Sequence, residues 1–238
     1  MTGTITVMRR EYASYFRTAA GWVVMALFLV LAGAVFRYFV LQPGQPASMR
    51  PFFAMTWGVL LFLAPAISMK TFSEELRTGT IEPLLTAPVS ETGVVVGKYL
   101  AAVLYLCTML APTLVYAAVL SGLSAPDYGA MVAGYLGVLL LGMLYLAAGV
   151  LASAATQSQP LAFLGPLFGF LALEVLRSVA VSRFPRWAAD VVLAVAPGLR
   201  IQDFAKGVID TRHVVFFLAG TAWFLAATTL LVQARRWR

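Results

Sequence analysis

Six runs of predominantly apolar residues, at approximately 21–41, 51–69, 93–121, 129–156, 160–182 and 213–232, leave this chain few folds to choose from. A bilayer hydrocarbon core about 30 Å thick is crossed by a helix of roughly 20 apolar residues, and each run is long enough to cross it. Only helices or closed barrels satisfy their backbone polar groups in lipid, and runs of this length predict helices. The class expected is therefore an all-α integral membrane protein with six transmembrane helices, 1–238 forming one transmembrane domain. The composition agrees. The chain is 61% hydrophobic and 11% charged, against roughly 25% charged residues in soluble domains.

The same composition excludes several functions. The net charge of +7 is spread among helix ends, not gathered into a patch, so nucleic acid is not an expected partner. Cys107 and His213 are single representatives of their types, which rules out an internal disulfide and leaves no Cys/His metal cluster. The string GVVVGKY at 93–99 has a superficial likeness to a phosphate-binding loop. It fails because three residues separate its glycines, Tyr99 stands where Ser or Thr is required, and no strand precedes it. No nucleotide site and no nucleophile–base pair are recognisable, so catalysis in this chain is not expected. The glycines there, like Gly165 and Gly169, read instead as positions where helices pack closely.

Between the apolar runs, the informative stretch is 70–98, KTFSEELRTGTIEPLLTAPVSETGVVVGK. Met69, Phe72 and Leu76 share a helical face, which predicts that the second span runs on as an amphipathic extension. Gly79 is placed to stop it. Thr80 then offers an N-cap for a short helix at 81–86, with Glu82 at the positive end of its dipole and Pro83 in the first turn, where a missing N–H is harmless. Pro88 ends that piece, and Ser90 with Glu91 opens the next span. The result is a capped, charged elbow at 70–92.

Three other features sit around the spans. Residues 1–20, with Arg9, Arg10, Arg17 and the aromatics Tyr12, Tyr15 and Phe16, read as an interfacial amphipathic helix. Residues 183–212 are too polar to span, and Pro197-Gly198 divides them into two short interfacial helices. Arg235, Arg236 and Trp237 read as an interfacial anchor, and His213 as a polar one. Glu174 is the one acid well inside an apolar run, roughly 21 Å along its helix from Pro160, and Arg177 is one turn away. The pair reads first as self-neutralising, with a contact to substrate or a second subunit as the alternative. Basic residues are almost evenly divided between the two sides. Weighting the first span and the terminal clusters favours termini inside.

Glu74, Glu75, Arg77, Gly79, Thr80 and Glu82, followed by LLTAPVS at 84–90 and Gly97-Lys98, resemble the cytoplasmic loop of type 2 ABC exporter permeases. The stretch GVIDTRHVVFF at 207–217 and the closing RRWR look like the gliding-motility-type branch of that family. The likeness covers essentially the whole chain, with Pro83 as a departure where an aliphatic residue is common. It implies a permease subunit that exports a cargo and binds no cofactor itself. It implies two copies of an ABC ATPase, carrying ATP and Mg, that grip a coupling helix at Glu74, Glu75, Arg77, Gly79, Thr80, Glu82 and Pro88. It further implies a second permease, identical or not, a prokaryotic cytoplasmic (inner) membrane location with both termini cytoplasmic, and re-entrant helices within 183–212. The rival class is an ATPase-independent membrane protein, either a secondary carrier or an assembly or structural factor. A carrier would be expected to hold several ionisable groups near the midplane, where only Glu174 comes close.

Overall fold

The computed structural model describes residues 2–42, 48–80, 90–123 and 126–236. They form eleven α-helices, and no strand occurs among the described residues. Helix α1 (Thr2–Arg17) precedes α2 (Ala19–Val35), whose last turn widens into a π-helical turn at Phe36–Val40. Then come α3 (Arg50–Ser68), α4 (Lys70–Thr78), α5 (Glu91–Leu110) and α6 (Leu114–Leu123), the last two joined by a 3₁₀ turn at Ala111–Thr113. The chain continues as α7 (Tyr128–Ala155), α8 (Gln159–Arg183), α9 (Arg186–Val195), α10 (Pro197–Ala205) and α11 (Thr211–Arg236). Six helical stretches are long and apolar enough to cross a membrane, the second being the continuous α3–α4 unit Arg50–Thr78.

The local signals in the sequence act where expected. Gly79 takes φ +73° and ends α4 in the left-handed conformation. The Ser90 hydroxyl accepts the Gly93 N–H at 3.1 Å and caps α5. Asp127 caps α7 by accepting from Gly129 and Ala130 N–H, a signal the sequence reading passed over. The 183–212 segment folds as two short helices, with Pro197 in the first turn of the second. The helix expected at 81–86, with Glu82, Pro83 and Pro88, lies outside the described residues.

Helix α7 is the hub. In its most apolar window 72% of residues are buried, and α3, α4, α5, α8, α10 and α11 all pack on it. Its glycines permit the close approach. A Cβ on Gly134 would stand 2.1 Å from the Phe53 ring, and one on Gly149 would stand 1.9 Å from Ser68 Oγ. By contrast, a Cβ on Gly165 or Gly169 would meet nothing within 4 Å, so that pair marks no close approach among the described helices. Contacts between ends fix the arrangement: Arg235 donates to Ala154 O at 3.1 Å, bringing the end of α11 beside the end of α7, where α4 and α1 also lie. The start of α1 and the end of α11 therefore sit at the elbow end of the bundle.

Gly134→Val forces a branched side chain into the Phe53 ring, and overpacking of that kind destabilises by about 1–3 kcal/mol. Thermal unfolding of the purified protein is expected to show a lowered midpoint for Gly134→Val and an unchanged one for Gly165→Ala.

Candidate functional site

At the elbow end, three segments far apart in sequence meet on one ammonium group. Lys98, in the second turn of α5, has a side chain only 2% exposed. Its Nζ donates to Glu75 Oε1 on α4 at 2.8 Å, to the Thr71 carbonyl at 2.9 Å and to Glu11 Oε1 on α1 at 3.2 Å. An ammonium has three protons, and here all three have acceptors. The Phe72 ring lies 5.2 Å from Nζ and adds its quadrupole. Arg10 brings a second cation, 2.9 Å from Glu11 and 3.8 Å from Glu75. Two cations therefore face two carboxylates. A buried lysine is tolerable only on these terms, since removing one partner of a buried pair costs about 3–5 kcal/mol.

Helix α1 is held to this node by more than charge. A Cβ on Gly97 would approach the Thr4 carbonyl to 2.8 Å, so α1 lies directly on the α5 backbone with Val7 buried at the contact. Tyr15 stacks on Tyr105 at 4.5 Å between centroids, Tyr105 donates to Gly21 O at 2.5 Å, and Tyr12 shares a 2.8 Å hydrogen bond with Thr108. The aromatics Tyr12, Tyr15 and Phe16 of α1 thus face α5. Burial pushes the Glu11 carboxyl up, but Lys98 and Arg10 beside it outweigh that effect and hold it below the usual carboxylate range.

The joint between α3 and α4 has its own fastening. The Ser153 hydroxyl of α7 accepts the N–H groups of Phe72 at 2.9 Å and Ser73 at 3.0 Å, and donates to Met69 O at 2.8 Å. A foreign hydroxyl thus enters the helix ladder where the span passes into the elbow, one turn after Pro65 has removed an N–H from it. Ser73 also bonds Met69 O through its own hydroxyl. Phe72 and Leu76 are buried, as their helical face predicts.

The structure divides the sequence-predicted residues. Glu75 turns inward to Lys98, whereas Glu74, Arg77, Gly79 and Thr80 are exposed, the Thr80 hydroxyl 2.9 Å from that of Thr78. Glu82 and Pro88 lie outside the described residues. At the far end, Glu174 is buried with both oxygens engaged, Oε2 by Arg177 Nε at 2.6 Å and Oε1 by the Gly198 N–H at 2.9 Å. The ion pair is the one expected from the sequence. The second contact, which places a carboxylate on the N-terminus of α10, was not. His213 Nε2 lies 3.1 Å from Asp203 Oδ2 and ties the start of α11 to α10. Sequence reasoning missed the meeting of Glu11, Lys98 and Ser153 at the elbow. A lysine followed by an apolar run, one turn inside a helix, was the available signal for Lys98.

An elbow that emerges from one span, is pinned to the next and is clasped by an N-terminal helix is a junction through which one end of the bundle can be moved. The family described as ABC-2 family transporter protein matches residues 5–232. The chain belongs to that family. Membership makes it a membrane component of an ABC transporter and implies an ABC ATPase as partner. No curated protein matches the chain. In this ABC-2 permease the elbow presents Glu74 and Arg77 outward and commits Glu75 to the interior.

Lys98→Met removes the buried cation and leaves only the exposed Arg10 against Glu11 and Glu75, so a fall in stability of about 3–5 kcal/mol is expected. The triple variant with Glu11→Gln and Glu75→Gln is expected to recover most of the lost thermal midpoint. The depressed Glu11 gives a contribution that is full above the usual carboxylate range and is lost as pH falls through its lowered value. In acid titrations of thermal stability, Glu11→Gln is therefore expected to flatten the loss below that range.

Proposed function

We propose that this chain is the permease subunit of an ATP-driven exporter, in which two ABC ATPase subunits carrying ATP and Mg act on the elbow, and a second permease completes the pathway. In this reading both termini and the elbow face the cytoplasm of a prokaryotic cell, and the likeness of the stretch at 207–217 and of the C-terminal basic cluster supports the gliding-motility-type branch. The single observation that supports the reading is the two-point fastening of the elbow, through Lys98 to α1 and α5 and through Ser153 to α7. A segment tied this way passes a push on its tip to α1, α5 and α7 at once and cannot swing freely. Rigid-body movement of the ATPases on ATP binding would be carried through it to the bundle, opening a route for the cargo.

Within this mechanism the outward residues Glu74, Arg77, Gly79 and Thr80, with Glu82 and Pro88 beyond them, meet the ATPase, and Glu75 serves the internal node. An ATPase-independent carrier is less well supported, because both oxygens of Glu174, the acid such a carrier would use, are already engaged.

Docking and transmission are separable. In membranes expressing the full operonic complex, Glu74→Lys is expected to abolish co-purification of the ATPase while insertion of the permease is unchanged. Ser153→Ala orphans two buried N–H groups without touching the outer face of the elbow. It is expected to keep the ATPase bound and to reduce transport-linked ATP hydrolysis several-fold. Full ATPase recovery with Glu74→Lys would refute the docking assignment.

A further inference from the structure

Between α1 and the elbow lies a cleft of about 250 Å³, bordered by Glu11 of the Lys98 node and by Glu74 of the elbow's outer face. The volume is below the roughly 300–1,000 Å³ of sites for drug-sized ligands, and suits a headgroup better than a whole amphiphile. Its walls divide by chemistry. Val24, Ala66 and Ile67 form an apolar side belonging to α2 and α3, continuous with the membrane-crossing helices. The polar side carries Glu11, Ser14 and Thr71, and the stacked rings of Tyr15 and Tyr105 close one wall. The last turn of α1, the negative end of its dipole, also borders the cleft.

Two features of the lining lack a partner among the described residues. Lys70 and Glu74 both line the cleft, are spaced for an i,i+4 pair and are both exposed, yet they form no ion pair with each other or with any other described residue. Thr71, 8% exposed, has a buried hydroxyl that lies near the Tyr15 phenol but makes no hydrogen bond of ordinary geometry. Burial and the charge of Glu11 push the Tyr15 phenol up, so it stays a neutral donor.

We propose that this cleft binds the zwitterionic headgroup of an aminophospholipid, its ammonium toward Glu74, the free oxygen of Glu11 and the tyrosine rings, and its phosphate toward Lys70. Carboxylates and aromatic faces favour a cation, and the lone lysine on the rim supplies the partner for the anion. The apolar wall takes the start of the acyl chains. The inference stands on the cleft alone and needs no ATPase.

The test uses the purified chain in a neutral detergent, titrated with short-chain phosphatidylethanolamine, short-chain phosphatidylglycerol and free O-phosphoethanolamine. Trp22, whose indole bonds Phe16 O at the end of α1, reports binding by its fluorescence. Saturable binding of the ethanolamine lipid at least about tenfold tighter than the glycerol lipid is expected, with free O-phosphoethanolamine competing at lower affinity. Ser14→Trp, which fills the cleft, and Thr71→Val, which keeps its shape, are each expected to remove that preference. Equal binding of the two lipids, or an unchanged preference in both variants, overturns the proposal. O-phosphoethanolamine binding as tightly as the lipid overturns the assignment to a lipid in favour of a soluble phosphoamine.

Discussion

An ammonium group withdrawn from water beside the membrane must find three acceptors, and the elbow end of this protein is arranged around that requirement. Lys98 meets it with one carboxylate from α4, one from α1 and a carbonyl from α4. Desolvating the charge costs several kcal/mol, which is offset only if the acceptors stay in place. The node therefore constrains its partners as firmly as they constrain it. Neither α1 nor α4 can leave α5 without exposing or orphaning a charge. Apolar packing alone, which in lipid has little driving force between helices, would not impose this.

The second constraint complements the first. Pro65 and the inserted Ser153 hydroxyl interrupt the helix ladder where the span becomes elbow. A helix weakened at one joint and fixed on both sides of it bends there and nowhere else. The joint is supported by α7, the most buried helix, whose Gly149 admits Ser68. An input at the elbow thus reaches the center of the bundle through a hydrogen-bonded hydroxyl, and its N-terminal helix through a salt bridge.

Much of this was legible in the sequence, because the signals are local. The six spans follow from apolar runs, the end of α4 from Gly79, the start of α5 from Ser90, and the division of 183–212 from Pro197. The Glu174–Arg177 pair is one helical turn apart and could be read directly. What could not be read joins distant residues. Lys98 and Glu11 are 87 positions apart, and Phe72 and Ser153 are 81 apart, so no periodicity connects them. The same holds for Gly198 on Glu174, and for Gly97, whose importance depends on α1 lying across it. The docking of the α1 aromatics on α5 could not be read either, because an interfacial helix and a helix docked on a neighbour show the same amphipathic pattern.

The account requires α1 and the elbow to move together. Its most direct test is the distance between spin labels at R9C and T78C, in a C107A background, measured by electron–electron double resonance in the assembled transporter with and without a trapped nucleotide. A narrow distribution that does not shift on nucleotide binding, and that broadens when Lys98→Met is added, is the result predicted. A shift in the unmodified node on nucleotide binding would show that the elbow slides past α1, and would contradict it.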